Sequence, residues 1–179
     1  FPNNSMHQVL GKGFLMTNRK TAVIILAAGL GTRMKSDLPK VLHPLANRPM
    51  VVHLLDTIAQ LVPERVVVVV GEEMEAVAKA VAPHPKVVQS PRSGTAHAVM
   101  AARSALAGFD GDVLVVYGDT PLITLPTLES MLAARRPPSD PAVVVLGFRP
   151  PDPGAYGRLI LGPEGDLDAI VEAKDATPE

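Results

Sequence analysis

Short apolar runs rich in β-branched residues recur along the chain, and they stop at small or polar residues. Residues 22–26, 66–70 and 113–117 show this pattern most clearly. Such runs are typical of strands that are buried on both faces of a parallel sheet. Two other runs of this kind, residues 86–88 and 142–148, predict further strands.

Between these runs, apolar side chains recur every three to four residues, which predicts helices. The clearest helical pattern covers residues 51–62, follows Pro49 and ends before Pro63. Three more helices are predicted over residues 72–81, 94–107 and 124–136. The first turn of the helix over 72–81 is expected to hold Glu72, Glu73 and Glu75, near the positive end of its dipole.

Strands that alternate with helices predict an α/β domain with a mostly parallel sheet. We expect a Rossmann-like fold with helices on both faces of the sheet. Residues 158–161 and 166–171 predict a small antiparallel hairpin outside it. Residues 1–19 show no periodicity and are expected to be a tag, linker or disordered extension, so the folded domain is expected to span residues 20–179.

Composition narrows the class of protein. The net charge is -1 and only 3% of residues are aromatic, which gives no reason to expect nucleic acid or a membrane surface as a partner. The sequence has no cysteine, which excludes disulfides and thiolate metal sites. No apolar run approaches the length of a membrane span. We therefore expect a cytoplasmic protein with neither nucleic acid nor a membrane as partner.

A glycine-rich turn follows the first predicted strand. Gly29 and Gly31 allow close approach of backbone N–H groups to a ligand, and Arg33 and Lys40 add positive charge. This combination is suited to a phosphate or diphosphate. The turn is neither a Walker loop nor a dinucleotide fingerprint, because Met34 stands where each of them needs a glycine.

Two other candidate residues follow predicted strands. Asp119 is either a turn-forming residue or a ligand for Mg²⁺, a cation that prefers oxygen. Gln89 is either an ordinary surface residue or a group that donates and accepts hydrogen bonds at a base edge. Because ligands of open α/β sheets sit beyond the carboxyl ends of the strands, we expect Gly29, Gln89 and Asp119 to lie close together.

The whole pattern Leu-Ala-Ala-Gly-Leu-Gly-Thr-Arg-Met at residues 26–34, followed by Leu-Pro-Lys-Val-Leu at 38–42, resembles the opening of the sugar-phosphate nucleotidyltransferases. In detail it is most similar to the N-terminal uridylyltransferase domains of bifunctional enzymes that make UDP-N-acetylglucosamine. Matching segments around Gln89, Asp119, Gly157 and Glu172 occur in the family's order. The chain departs from the pattern at Arg92, where the family commonly has a second glutamine.

The resemblance implies transfer of UMP from UTP to N-acetylglucosamine 1-phosphate, which gives UDP-N-acetylglucosamine and pyrophosphate for cell-wall precursor synthesis. It implies that Arg33 and Lys40 act on the phosphates and that Asp119 binds Mg²⁺. The implied substrate-binding residues, with the last two on the sugar, are Leu26, Ala27, Ala28, Gly29, Gly31, Thr32, Gln89, Gly94, Thr95, Tyr117, Gly118, Gly157 and Glu172.

Family members continue past the Glu172 segment with a second metal ligand, an asparagine, and usually with a β-helix acetyltransferase domain. This sequence holds neither, so we expect a fragment whose activity alone stays open, with any homo-oligomer formed through the missing parts. Two alternatives also stay open. One is another sugar-phosphate or molybdopterin nucleotidyltransferase, and the other is a nucleotide-sugar-binding module without turnover. Packing or capping is expected for His43, His53 and His97.

Overall fold

The computed structural model describes residues 19–29, 31 and 34–177. The chain divides into two compact units, one up to Leu132 and one from Ala133. The strands are β1 (Thr21–Leu26), β2 (Pro44–Leu45), β3 (Arg48–Pro49), β4 (Arg65–Gly71), β5 (Lys86–Gln89), β6 (Asp112–Tyr117), β7 (Arg158–Leu161) and β8 (Leu167–Val171). The α-helices are α1 (Met50–Ala59), α2 (Glu75–Ala80), α3 (Thr95–Ala101) and α4 (Leu125–Ala134).

The first unit is built on a four-stranded sheet with the order β5-β4-β1-β6. Every pairing in this sheet is parallel, and Ile24 of β1 lies opposite Val67 of β4 and Val115 of β6. The predicted Rossmann-like α/β fold is confirmed. Parallel strands place their carboxyl ends at one edge, so the segments that follow β1, β5 and β6 emerge on the same side.

Alternate side chains of the sheet enter two different cores. Val23 and Ile25 belong to a buried cluster with apolar residues of α1, α2 and α4. Ile24 belongs to a second cluster, with Val67, Val69 and the α3 residue Ala98. The β1 side chains between Ala22 and Ile25 are buried on both faces, which explains why this stretch carries no polar residue.

β6 is buried on one face only. Leu114 and Val116 enter the first core, whereas Val113, Val115 and Tyr117 are exposed, Tyr117 by 51%. The prediction that this strand is buried on both faces is therefore wrong. The physical reason is position: β6 is an edge strand, and the second core, which α3 closes, contains residues of β1 and β4 but none of β6.

Two predicted helices are shorter than their patterns suggested. α2 begins at Glu75, and Glu72 and Glu73 lie before it, so their placement in its first turn is wrong. Glu73 has a φ of 58°, in the left-handed region, which a right-handed helix cannot include. α3 stops at Ala101, and a 3₁₀ helix over Ser104–Leu106 replaces its predicted second half.

The second unit contains the predicted hairpin. β7 and β8 pair antiparallel, with a register shift between Ile160 and Leu161. Residues 142–148 form no strand, so that prediction is wrong. β-propensity describes how side chains fit a paired, half-buried surface, and the structure gives this segment no ladder partner among the described residues. Among the described residues, no helix has both the length and the apolar character needed to cross a bilayer.

Candidate active site

A cavity of about 420 Å³ lies in the first unit beyond the carboxyl ends of the central strands. The loops after β1, β5 and β6 supply residues to its walls, because parallel strands place these loops on the same side of the sheet. Its lining consists of Leu26, Ala28, Gly29, Gly31, Lys40, Val41, Gln89, Arg92, Gly94, Thr95, Ala98, Tyr117 and Asp119.

The turn after β1 brings main chain to the cavity wall. Gly31 has a φ of 62°, and a Cβ added to it would lie 2.8 Å from Cβ of Lys40. Only glycine satisfies both conditions, since other residues rarely adopt this φ and would displace Lys40. The turn therefore places bare backbone and the Lys40 side chain side by side.

Lys40 is held by a short, well-anchored segment. It begins the 3₁₀ helix Lys40–Leu42, in which Val41 and Leu42 are buried. His43 Nε2 lies 3.2 Å from the Leu38 carbonyl, and His53 Nε2 lies 2.7 Å from the Leu45 carbonyl. Because a carbonyl oxygen only accepts, both rings donate and tie down the chain on either side of the 3₁₀ helix. The expected packing roles of these histidines agree with these contacts.

Asp119 lies in the tight turn that follows β6. Gly118 N donates to the Leu26 carbonyl at 2.9 Å, and Thr120 N and Oγ1 both donate to the Tyr117 carbonyl, at 3.1 and 2.7 Å. These bonds join the turn to the end of β1. They bring the Asp119 carboxylate to 2.6 Å from Nζ of Lys40, and both side chains are partly exposed to the cavity.

Gln89 is 4% exposed and closes β5 opposite Gly71 of β4. Its Nε2 donates to the Gly94 carbonyl at 2.9 Å and lies 3.4 Å from Nδ1 of His97. Both amide hydrogens of Gln89 are therefore directed at the start of α3. The side chain fixes the loop that carries Gly94 and Thr95 into the cavity wall.

Arg92 is a cavity residue that the sequence reasoning did not include among the site residues. Its Nη2 donates to the Glu72 carbonyl at 2.9 Å, and its guanidinium lies against the main chain of Gly71. The sequence feature that could have identified Arg92 was the presence of a cation three residues beyond Gln89, in the segment that departs from the family pattern. Val41 and Ala98 were also missed, and they line the cavity with apolar surface.

A model described as the MobA-like NTP transferase domain matches residues 23–175, which is most of the chain. This chain belongs to the MobA-like NTP transferase family. Its first unit therefore holds the parallel sheet and cavity of a nucleotidyltransferase domain.

One curated relative of this NTP transferase is the bifunctional protein GlmU of Paramagnetospirillum magneticum. It is 68% identical over 164 residues, which cover 92% of this chain and 36% of the relative. The chain thus spans little more than a third of that relative's length and resembles its nucleotidyltransferase part.

Two solved structures share the fold of the NTP transferase. HddC from Yersinia pseudotuberculosis, complexed with GMP-PN, has a TM-score of 0.68 at 21% identity, covering 84% of this chain and 68% of HddC. Rv0371C from Mycobacterium tuberculosis, in complex with manganese, has a TM-score of 0.53 at 20% identity, covering 64% of this chain and 59% of that one. At these identities the likeness shows a shared fold alone.

Most of the sequence-predicted site residues of this NTP transferase line the one cavity. Ala27 and Gly118 do not: Ala27 donates its N–H to the Val69 carbonyl at 2.8 Å and is buried in the first core. Thr32 and Arg33 lie outside the described residues. The predicted sugar contacts Gly157 and Glu172 belong to the second unit, where Glu172 directly precedes a 3₁₀ helix over Ala173–Asp175.

The cavity has a donor set that fits one divalent cation. Asp119 is the one carboxylate among its described lining residues, and the Lys40 ammonium at 2.6 Å shows that a cation is accommodated beside it. No group of three or more potential ligand side chains occurs in the described part of the chain. A Mg²⁺ ion held by one carboxylate takes its other ligands from water and phosphate oxygens, and this arrangement fits such an ion.

Proposed function

We propose that this chain is the catalytic part of an enzyme that transfers UMP from UTP to N-acetylglucosamine 1-phosphate. A phosphate oxygen of the sugar phosphate forms a bond to the α-phosphorus of UTP. The bond from that phosphorus to the bridging oxygen breaks, and pyrophosphate leaves with the electron pair. The products are UDP-N-acetylglucosamine and pyrophosphate, and the product would serve cell-wall precursor synthesis.

The reaction requires the protein mainly to position the two substrates and to supply positive charge near their phosphates. The attacking phosphate is already anionic at neutral pH, so no side chain has to remove a proton from it. The barrier comes from bringing anions together and from charge that develops on the leaving pyrophosphate. A cavity with bare backbone at Gly29 and Gly31 and a cation at Lys40 meets both needs.

The residues of the cavity have separate tasks in this proposal. Gly29 and Gly31 offer main chain to the phosphates, and Lys40 moves its charge from Asp119 to them when the nucleotide enters. Asp119 would hold Mg²⁺, which supplies neutralisation of charge on phosphate oxygens when it is bound. Gln89, Gly94 and Thr95 form the wall against which uridine would lie.

One observation carries the proposal: the ion pair of Lys40 and Asp119 lies in the same cavity as Gln89 and the Gly31 turn. A phosphate-binding group, a metal-binding carboxylate and a base-binding wall are each common, but their convergence on one cavity supports nucleotidyl transfer. The 68% identity to a GlmU protein supports the choice of uridylyl transfer within that class.

The test is a pyrophosphate-release assay on the complete polypeptide with UTP, Mg²⁺ and N-acetylglucosamine 1-phosphate. We expect release that depends on all three, with little release when CTP or GTP replaces UTP. Turnover with CTP or GTP but not UTP would contradict the proposal. So would tight binding of UDP-N-acetylglucosamine without any pyrophosphate release, because that result describes a binding module.

The proposed role of Arg33 rests on the sequence motif alone, since this residue lies outside the described part of the chain. If it contacts the phosphates, Arg33→Ala should reduce turnover by about a hundredfold or more while the thermal melt stays unchanged. Arg103, an exposed cation outside the cavity, provides the matched control as Arg103→Ala. Unchanged turnover in Arg33→Ala would remove Arg33 from the mechanism.

A further inference from the structure

Gln89 cannot recognise a pyrimidine in the way that its amide suggests. Its Nε2 donates to the Gly94 carbonyl at 2.9 Å, and its second N–H points to Nδ1 of His97 at 3.4 Å. The Gly94 oxygen only accepts, so the nitrogen has to lie on that side. What Gln89 has left for a ligand is its carbonyl oxygen, which is an acceptor.

A uracil edge requires hydrogen-bond donors from the protein as well as one acceptor. Its N3–H donates, but the carbonyl groups on either side of N3 both accept. The Gln89 oxygen can pair with N3–H, and a separate donor is then needed for the neighbouring carbonyl. Among the described residues that line the cavity next to Gln89, the side chain with unused N–H groups is that of Arg92.

Arg92 is placed by contacts that leave most of its donors unused. Nη2 bonds to the Glu72 carbonyl at 2.9 Å, while the Glu72 carboxylate accepts from Ser90 Oγ at 2.6 Å. Within the described part of the chain, Arg92 forms no ion pair with a carboxylate. A guanidinium carries five N–H donors and no acceptor, so its free groups can face only an acceptor or an anion.

Gly71 creates the space that Arg92 occupies. A Cβ added to Gly71 would lie 2.6 Å from Cζ of Arg92, and closer still to Nε and Nη2. Gly71 pairs with Gln89 across β4 and β5, so the guanidinium that packs against Gly71 lies at the strand end next to the one that carries the Gln89 amide. The absence of a side chain at 71 thus lets a donor stand beside an acceptor.

We propose that Arg92, held against Gly71, acts together with Gln89 to select uracil over cytosine. Arg92 donates to the C4 carbonyl of uracil, where cytosine has an amino group, while the oxygen of Gln89 accepts from N3–H. Cytosine would present an unprotonated N3 to the Gln89 oxygen and an amino group to the Arg92 donors, so both pairs would be repulsive or unmade. This inference rests on the proposed function, since it assumes that a pyrimidine nucleotide fills the cavity.

The alternative of a phosphate contact for Arg92 makes a different prediction. A guanidinium that binds phosphate contributes equally to UTP and CTP, because both carry the same triphosphate. Binding of the two nucleotides therefore separates a base contact from a phosphate contact. Turnover is not needed, so a failure of the proposed reaction does not decide this question.

The experiment measures dissociation constants of UTP and CTP by calorimetry, with Mg²⁺, for the wild type, Arg92→Met and Gly71→Ala. In the wild type we expect tighter binding of UTP. Arg92→Met keeps the length of the side chain and removes its donors, and it should weaken UTP binding by about ten- to a hundredfold and CTP binding much less. Gly71→Ala keeps the charge but displaces the guanidinium, and it should lower the UTP preference by a smaller factor.

Arg103→Met is the control for loss of an exposed arginine, and thermal melts report whether each variant folds. Equal weakening of UTP and CTP in Arg92→Met would overturn the proposal in favour of a phosphate contact. An unchanged UTP preference in a folded Arg92→Met variant would also overturn it. A wild type that binds both nucleotides equally would do the same, even if pyrophosphate release proceeds.

Discussion

The two ends of the cavity hold their charges in opposite ways. At the end formed by β1 and β6, Lys40 and Asp119 are paired with each other at 2.6 Å. At the end formed by β4 and β5, the polar groups of Gln89 and Arg92 are tied to main-chain carbonyls of Gly94 and Glu72. At the first end two side chains neutralise each other, whereas at the second end the side chains are fixed by main-chain acceptors and form a preformed wall.

Under the proposed function, this difference follows from what each end would bind. Phosphates and a metal ion carry full charges, so the groups that receive them need counter-charges until they arrive. A base edge is neutral and directional, so the groups that read it need fixed positions. The comparison predicts large, charge-dependent effects at the Lys40 end and smaller, selective effects at the Gln89 end.

The largest effect is expected from Asp119→Asn, which removes the one carboxylate among the described lining residues. Pyrophosphate release should fall by about a hundredfold or more, and Mn²⁺ binding followed by electron paramagnetic resonance should weaken in parallel. Asp56→Asn, in an exposed ion pair with Arg48 at 2.8 Å, is the control and should change neither. Full activity in Asp119→Asn would show that this end does not hold the metal.

Gly31→Ala should lower turnover about tenfold or more, because the new Cβ meets Lys40 and displaces it. Its matched control is Gly108→Ala, since Gly108 also has a positive φ, 68°, but has open space around its Cβ position. Both variants should lose about 1–2 kcal/mol of stability from the backbone conformation. Only the first should lose activity, so an equal loss of activity in both would contradict a positioning role for Gly31.

Lys40→Met tests whether the ion pair exchanges partners. Without nucleotide, Mn²⁺ should bind about two- to fivefold more tightly, because the ammonium no longer competes for Asp119. UTP should bind more weakly in the same variant, since the phosphates lose a cation. Lys20→Met, which removes a surface pair with Glu64 at 2.8 Å, should leave both constants unchanged. If Mn²⁺ binding weakens in Lys40→Met, the exchange does not occur.

The smallest effect is expected from His97→Ala at the preformed wall. The contact of His97 with Gln89 is long, at 3.4 Å, while the bond from Gln89 to Gly94 at 2.9 Å remains. The KM for UTP should therefore change by no more than about twofold. Titration of steady-state rates against UTP measures this, and a much larger rise would indicate that His97 itself contacts the nucleotide.

Much of the fold follows from patterns that are local in the chain. The valine run over residues 66–70 predicts β4 within one residue at each end, because a strand buried on both faces admits no polar residue. The run over residues 142–148 shows the limit of the same reasoning, since a strand also needs a neighbour to pair with. The one-sided burial of β6 could not be predicted from its sequence either, because its edge position depends on the sheet order.

The residues of the candidate site also fall into those that the sequence predicted and those that it did not. Gly29, Gln89 and Asp119 were predicted to converge because each follows a parallel strand, and all three line the cavity. Arg92 was not predicted as a site residue, because its role depends on the space left by Gly71, more than twenty positions earlier in the chain. The hydrogen bond from the Gln89 amide to the Gly94 carbonyl could not be predicted either, because a residue type gives its donors and acceptors but not their partners.

Through the resemblance of its motifs to a known family, the sequence indicated a nucleotidyltransferase. By itself, its residue pattern determined an α/β domain with a glycine turn, a glutamine and an aspartate at strand ends. These features depend on periodicity, on backbone freedom and on topology, all of which are local or general rules. Only the tertiary structure decided that Lys40 is paired with Asp119 and that Arg92 has a place against Gly71. Those contacts join residues far apart in the chain, and their geometry exists only once the sheet has assembled.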